Sequence, residues 1–89
     1  MKTIKKKVWP EYFEKILSGE KTFEVRLADF DVQKDDTLIL EEWDPKTEEY
    51  TGRSIEKKAV YIIKTKDLSF WNKEEIDEHG YQIIGLDTE

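Results

Sequence analysis

Apolar residues are thinly spread along the chain, and the spacing between them changes from one segment to the next. In KTIKKKVW, Ile4 and Val8 share one side of an extended segment with Lys6, while Lys5 and Lys7 occupy the other. A strand so rich in lysine suits the edge of a sheet, where charge discourages pairing with other chains. PEYFEKILSG then carries helix signals at both ends. Pro10 and Glu11 suit a first turn, and Gly19 suits the left-handed position just past the last one. Phe13, Ile16 and Leu17 fall at i, i+3 and i+4, with Tyr12 one turn from Ile16, so the spacing predicts a short helix that turns this apolar face to the core.

From Thr22 the period becomes two. Phe23, Val25 and Leu27 lie on one side and Thr22, Glu24 and Arg26 on the other, which predicts a strand. ADFDVQKDD reads as a loop. TLILEEW resumes as a strand with Leu38, Leu40 and Glu42 on one side and Ile39, Glu41 and Trp43 on the other. DPKTEEYTG is a turn-rich connection, with Asp44, Pro45 and Gly52 as its turn formers. The run from 54 to 64, which contains AVYIIKT, predicts a long strand antiparallel to the preceding one. KEEIDEH offers a single helical turn with Asn72 as its cap, and YQIIGL a closing strand.

About five strands and one good helix, without repeats or a Pro/Gly/Ser-rich linker, point to a single domain over residues 1–89. The connecting loops are too short for the crossovers that a parallel sheet would require. The expected fold is therefore α+β and mainly β: a small, mostly antiparallel sheet curled into a barrel, with the helix after the first strand covering one end.

Composition removes several classes of function. With no cysteine and the single histidine His79, neither a disulfide framework nor a thiolate or imidazole metal cluster can form, and no metal or other cofactor is expected. The lysines near the start are not followed by an apolar run of signal-peptide length, and no window approaches the ~20 apolar residues of a membrane span. A soluble, cytoplasmic monomer with no membrane partner is expected. The net charge of −6 argues against general affinity for nucleic acid, but it conceals alternation by segment. Residues 1–28 and 53–66 are net basic, and residues 29–52 and 67–89 net acidic. The basic blocks either share one face or belong to a solvated surface of mixed sign.

The octet GEKTFEVR at residues 19–26 changes this picture. PEYFEKILSGEKTFEVR resembles the helix-to-strand signature of ASCH domains, a branch of the PUA-like β-barrels, whose pattern is roughly G-x-K-x-x-E-x-R. Gly19, Lys21, Glu24 and Arg26 match it position by position. LEEWDPKTEEYTGR, AVYII and GYQIIGL are similar to segments of small ASCH-like proteins, so the resemblance spans most of the chain. That group usually carries a histidine near its start, an asparagine-aspartate-arginine run after the signature arginine and a glycine-aspartate turn. This chain has Ile4, Ala28, Phe30 and Asp35 in the corresponding stretches, while Asp29 and Asp36 are kept.

The resemblance implies an RNA- or nucleotide-binding module with a cationic cleft between helix and barrel. Lys21 and Arg26 are suited to phosphate, and Glu24 to a base amino group. Taken without the resemblance, Glu24 and Arg26 read better as an i, i+2 surface ion pair. Tyr50 and Arg53, with Trp43, supply materials for stacking unpaired bases, and Lys5, Lys7, Lys57 and Lys58 for further phosphate contacts. Trp43, at the end of an apolar strand, is at least as well suited to the core.

Some relatives are amidohydrolases on acetylated cytidine, but they use a threonine where this chain has Glu24. Another branch is associated with RNA cleavage, for which Lys21 and Tyr50 are the candidate acid and base. A small hydrolase at the same cleft and a protein-interaction module built on the acidic faces are the two alternatives. Asp29, Asp31, Asp35 and Asp36 form an acidic loop without the glycine and glutamate of a calcium loop, and read as solvated. Phe70 and Trp71 are either a lid on the core or a protein contact.

Overall fold

The computed structural model describes residues 1–68, 73–74 and 80–88. Its elements are β1 (Thr3–Val8), α1 (Pro10–Leu17), β2 (Phe23–Leu27), β3 (Thr37–Asp44), β4 (Glu49–Lys64) and β5 (Tyr81–Leu86), with a single 3-10 turn at Thr65–Asp67. The expected helical turn in KEEIDEH, its cap Asn72, and the aromatic pair Phe70 and Trp71 lie outside the described residues, apart from Lys73 and Glu74.

The helix begins at Pro10, and Gly19 takes the left-handed conformation at φ +85°. Only Phe13 and Ile16 of the expected apolar face are buried. Tyr12 and Leu17 are half exposed, which corrects the wider stripe read from spacing.

The strands form one sheet in the order β1-β3-β4-β5-β2. Three of the four pairings are antiparallel, but β1 runs parallel to β3, with Thr3 opposite Thr37 and Val8 opposite Glu42. The parallel pair departs from expectation because the crossover does not link successive strands. It runs through α1, β2 and a loop, well beyond the dozen or so residues such a connection needs. The ladder ends at β1 on one side and β2 on the other, so the sheet stays open where a closed barrel was expected.

β4 is shared by two halves of this sheet. Its residues up to Lys58 pair with β3, and from Ala59 onward they pair with β5. A register shift between Ala59 and Tyr61 exchanges the inward-facing positions, from Lys57 and Ala59 to Ile62. Such a bulge bends the strand and lets both halves face one core. That core joins Val8, Phe13, Ile16, Val32, Leu38, Leu40, Ala59, Ile84 and Leu86. The β3–β4 connection is also tighter than expected, because Glu48 takes a positive φ and β4 starts at Glu49. Asp44 acts as a turn former, its carboxylate accepting from the Lys46 N–H at 2.8 Å. Gly52 lies instead within β4, at φ +97°, beside the register slip between Glu41 and Trp43.

The loop between β2 and β3 is fastened by Asp36, whose carboxylate is buried. It accepts from the Lys2 N–H at 2.9 Å and the Gln33 N–H at 2.8 Å, and the Lys2 ammonium lies 3.1 Å from Oδ2. These donors, led by the two backbone N–H groups, lower its pKa to about 2. The contact fixes the start of β1 beside β3, where the Thr37 N–H donates to the Lys2 carbonyl at 2.8 Å.

One strand is turned against the usual rule. Phe23, Val25 and Leu27 of β2 are 46%, 51% and 51% exposed, while Glu24 is buried and Arg26 half-buried on the inner face. Val25→Thr is therefore expected to change stability by less than about 0.5 kcal/mol, whereas Leu40→Ala, at a fully buried position, costs about 2–5 kcal/mol. Urea denaturation measures both, and a Val25→Thr cost equal to that of Leu40→Ala would contradict this orientation of β2.

A second expectation concerns acid. Because the folded Asp36 carboxyl titrates below its ordinary value of 3.8, its stabilisation is complete above that pH and disappears as the pH falls through about 2. Asp36→Asn should lower the thermal midpoint at pH 7, and the difference from the parent chain should shrink between pH 4 and pH 2. Thermal melts followed by circular dichroism across that range check it; a difference independent of pH would contradict it.

Candidate functional site

The open seam between the two edges of the sheet is a cleft of about 440 Å³, lined by Lys7, Val8, Trp9, Tyr12, Lys21, Glu24, Val25 and Arg26. Its size is that of an ordinary small-ligand site. The left-handed Gly19 turns the chain out of α1, and the Lys21 N–H then donates back to the Lys15 carbonyl at 3.0 Å, which satisfies one of the free carbonyls at the helix end. This sets Lys21 at the mouth of β2, from which Glu24 and Arg26 project to the same inner face.

The three side chains meet. The Lys21 ammonium donates to Glu24 Oε1 at 2.8 Å and to the Phe23 carbonyl, and Arg26 Nε donates to Glu24 Oε2 at 2.9 Å. Glu24 is 6% exposed at its side chain, against 19% for Lys21 and 25% for Arg26. A carboxylate withdrawn from water costs several kcal/mol unless its oxygens are well partnered, and here each oxygen has its own cation. Arg26 also donates from Nη2 to the Lys7 carbonyl. A side chain thus bridges β1 and β2 where no backbone ladder does.

The walls of the cleft are aromatic. Trp9 and Tyr12 are 48% and 49% exposed, at the start of α1. The Trp9 carbonyl accepts from the N–H groups of Tyr12 and Phe13, so the first turn of the helix holds both rings beside the cleft. Neither residue was singled out as a site residue from the sequence. The signal was present in WPEY, where Trp9 precedes the proline and Tyr12 lies off the Phe13–Ile16 line, but Tyr12 also matched the spacing of a core residue.

Tyr50 and Arg53 do not line the cleft. Tyr50 is exposed on β4 opposite Trp43 and outside the cleft lining that holds Lys21, so the cleft does not bring the candidate acid and base together. Arg53 is committed within the fold. Its Nε lies 2.8 Å from Oε1 of the buried Glu42, its Nη2 donates to Glu42 Oε2 at 2.9 Å and to Glu14, and its guanidinium sits 4.9 Å from the Phe13 ring. Arg53, with help from the Thr51 hydroxyl, pulls the Glu42 pKa down, and the two carboxylates hold the Arg53 proton more tightly than usual. This network ties α1 to β3 and β4.

Of the other candidate cations Lys5 and Lys58 are exposed, while Lys7, Lys57 and the neighbouring Lys6 are drawn into the fold. Lys7 lies over the Trp43 ring at 4.4 Å, Lys6 over Phe30 at 3.7 Å, and Lys57 is buried. In the acidic loop, Asp31 pairs with Lys2 and accepts from Gln33, while Asp36 holds the backbone.

A family model described as a domain of unknown function, DUF3850, matches residues 3–86. The chain belongs to the DUF3850 family. The match runs from the start of β1 to the end of β5, so it includes every residue of the cleft. A protein of Escherichia phage P2, titled an uncharacterized 12.9 kDa protein in the GpA 3' region, is 36% identical over 79 residues. That alignment covers 89% of this DUF3850 chain and 66% of the phage protein.

If Arg53 works as a clamp, its forked geometry should be needed. Arg53→Lys, which cannot bridge two carboxylates in the same way, is expected to cost roughly 1 kcal/mol. Glu14→Gln, at the exposed end of the network, should stay within about 0.5 kcal/mol. Urea denaturation separates the two; equal costs would contradict the clamp.

Proposed function

We propose that this DUF3850 chain is an RNA- or nucleotide-binding module related to the PUA-like ASCH domains, and that it grips its ligand in the cleft between α1 and β2. The observation that carries the reading is the assembly of Lys21 and Arg26 on a buried glutamate, directly beside two half-exposed aromatic rings. Cationic donors meet phosphate oxygens and aromatic faces receive a base, which is the combination used for unpaired nucleotides. Arg26 contributes most through its guanidinium fork: Nε and Nη2 are engaged, and the Nη1 protons have no partner among the described residues. Glu24 is spent on orienting the cations more than on reading a base.

The hydrolase reading has less support, because Tyr50 does not line the cleft that holds Lys21 and Lys21 is held by Glu24. The protein-interaction reading, which starts from the acidic faces, draws further support from an apolar surface. Phe23, Leu27, Tyr61 and Tyr81, none of which lines the cleft, are all at least 46% exposed, with Leu27 opposite Tyr81 in the ladder.

Fluorescence anisotropy with a labelled single-stranded RNA tests the first reading. Binding should weaken with salt with a log–log slope of about −1, since only one or two phosphates are contacted. Trp9→Ala should weaken it by an amount equivalent to about 1–3 kcal/mol, the worth of one stacked base. Arg26→Ala should abolish most of the salt dependence, and Tyr61→Ala on the outer face should leave binding unchanged. Indifference to both RNA and free nucleotides would overturn the reading.

A further inference from the structure

We infer that the cleft is built for a single negative charge, and so selects the internal phosphodiester of a dinucleotide unit over the terminal phosphates of a free nucleotide. This rests on the nucleotide reading above and narrows it. The floor carries two cations and one anion, and the anion is anchored. Glu24 is almost fully enclosed, with Lys21 on one oxygen at 2.8 Å and Arg26 on the other at 2.9 Å. A phosphate entering the cleft therefore cannot claim both cations outright; it meets one net positive charge.

The neighbouring cations point or pair elsewhere; Lys7 stays charged, since a ring does not neutralise an ammonium, but the Trp43 ring that holds it lies outside the cleft lining. Lys7 gives its carbonyl to Arg26 and holds its ammonium over the Trp43 ring. Arg53 is paired with Glu14 and Glu42, and Lys15 with Glu20 at 3.1 Å. Glu11 and Glu14 are exposed on α1, and the whole chain is net −6. A triphosphate would bring three to four negative charges to a site with one positive charge to offer, and like charges brought together near a surface of low dielectric are costly.

The donors that remain match a diester. Lys21 has used two of its three N–H groups, on Glu24 and Phe23, and Arg26 keeps its Nη1 pair. Two directed donors, one from each side of Glu24, suit the two non-bridging oxygens of one phosphodiester. Trp9 and Tyr12, three residues apart at the start of α1, then provide surfaces for the flanking bases. RNA and single-stranded DNA share this chemistry, and only the sugar distinguishes them.

Isothermal titration at low salt with four probes tests the proposal on the full chain. The probes are uridylyl-uridine, its deoxythymidine counterpart, uridine 5′-monophosphate and uridine 5′-triphosphate. The dinucleoside monophosphates should bind at least about tenfold tighter than the triphosphate, the effect of an uncompensated charge. Glu24→Gln, which removes the anion and keeps an amide acceptor, should narrow or reverse that ranking. A difference between the ribose and deoxyribose probes identifies which nucleic acid the cleft prefers. If the triphosphate binds as tightly as the dinucleotides, the charge rule is wrong while the nucleotide reading stands. If no probe binds, the nucleotide reading itself falls. Should Glu24→Gln fail to fold, the ranking in the unaltered chain decides alone.

Discussion

A glutamate inside the molecule, held between a lysine and an arginine, governs the arrangement of this fold. Glu24 is acceptable in the interior only because Lys21 and Arg26 each take one of its oxygens. That requirement fixes which face of β2 points inward, and it sends Phe23, Val25 and Leu27 to solvent. With Glu24 and Arg26 on its inner face, β2 contributes no side chain to the buried apolar core. It sits at the edge, paired only with β5, and Arg26 spans the gap to β1 by donating to the Lys7 carbonyl. The cleft is the part of the seam that this side chain leaves open.

The rest of the structure holds the two edges at that separation. β4 bends after Lys58 and carries one half of the sheet across to the other, with Leu38 and Leu40 packing from one side and Ile84 and Leu86 from the other. Asp36 pins the first residues of β1 beside β3, and Arg53 ties α1 to the sheet through Glu14 and Glu42. Both carboxylates buried in these ties are matched by donors from other segments of the chain, Asp36 by Lys2 34 positions away and Glu42 by Arg53 across the hairpin. Charged groups that sequence reading would leave on the surface thus do much of the positioning. The apolar core supplies the bulk of the stability.

This explains what could and could not be read from the residues alone. The boundaries of α1 were legible because Pro10 and Gly19 act through local backbone preferences, and the alternation of β3 placed Leu38, Leu40 and Glu42 on one face correctly. The shared face of Glu24 and Arg26 was legible from the period of two, whereas a cleft that also held Lys21 was expected only through the resemblance. Other features depended on distant partners. The parallel β1–β3 pair required knowing that the crossover skips β2, and the open seam required knowing where the ladder ends. Arg53 resembled a free loop arginine until Glu14, 39 positions earlier in the sequence, was placed beside it. Tyr12 matched a core stripe in spacing, and only the narrowness of the Phe13–Ile16 contact turns it to the cleft.

The DUF3850 match covers the cleft from end to end, so the charged floor and its aromatic wall are features in which a family role can be sought. The account turns on where a ligand touches the chain. Titration of the isotopically labelled protein with a dinucleoside monophosphate, followed by amide and indole chemical shifts, tests this most directly. Shifts should be concentrated at Val8 to Tyr12 and Lys21 to Arg26, with the Trp9 indole among the largest. Shifts centred instead on Tyr50 to Arg53, or an unchanged spectrum at saturating ligand, would contradict it.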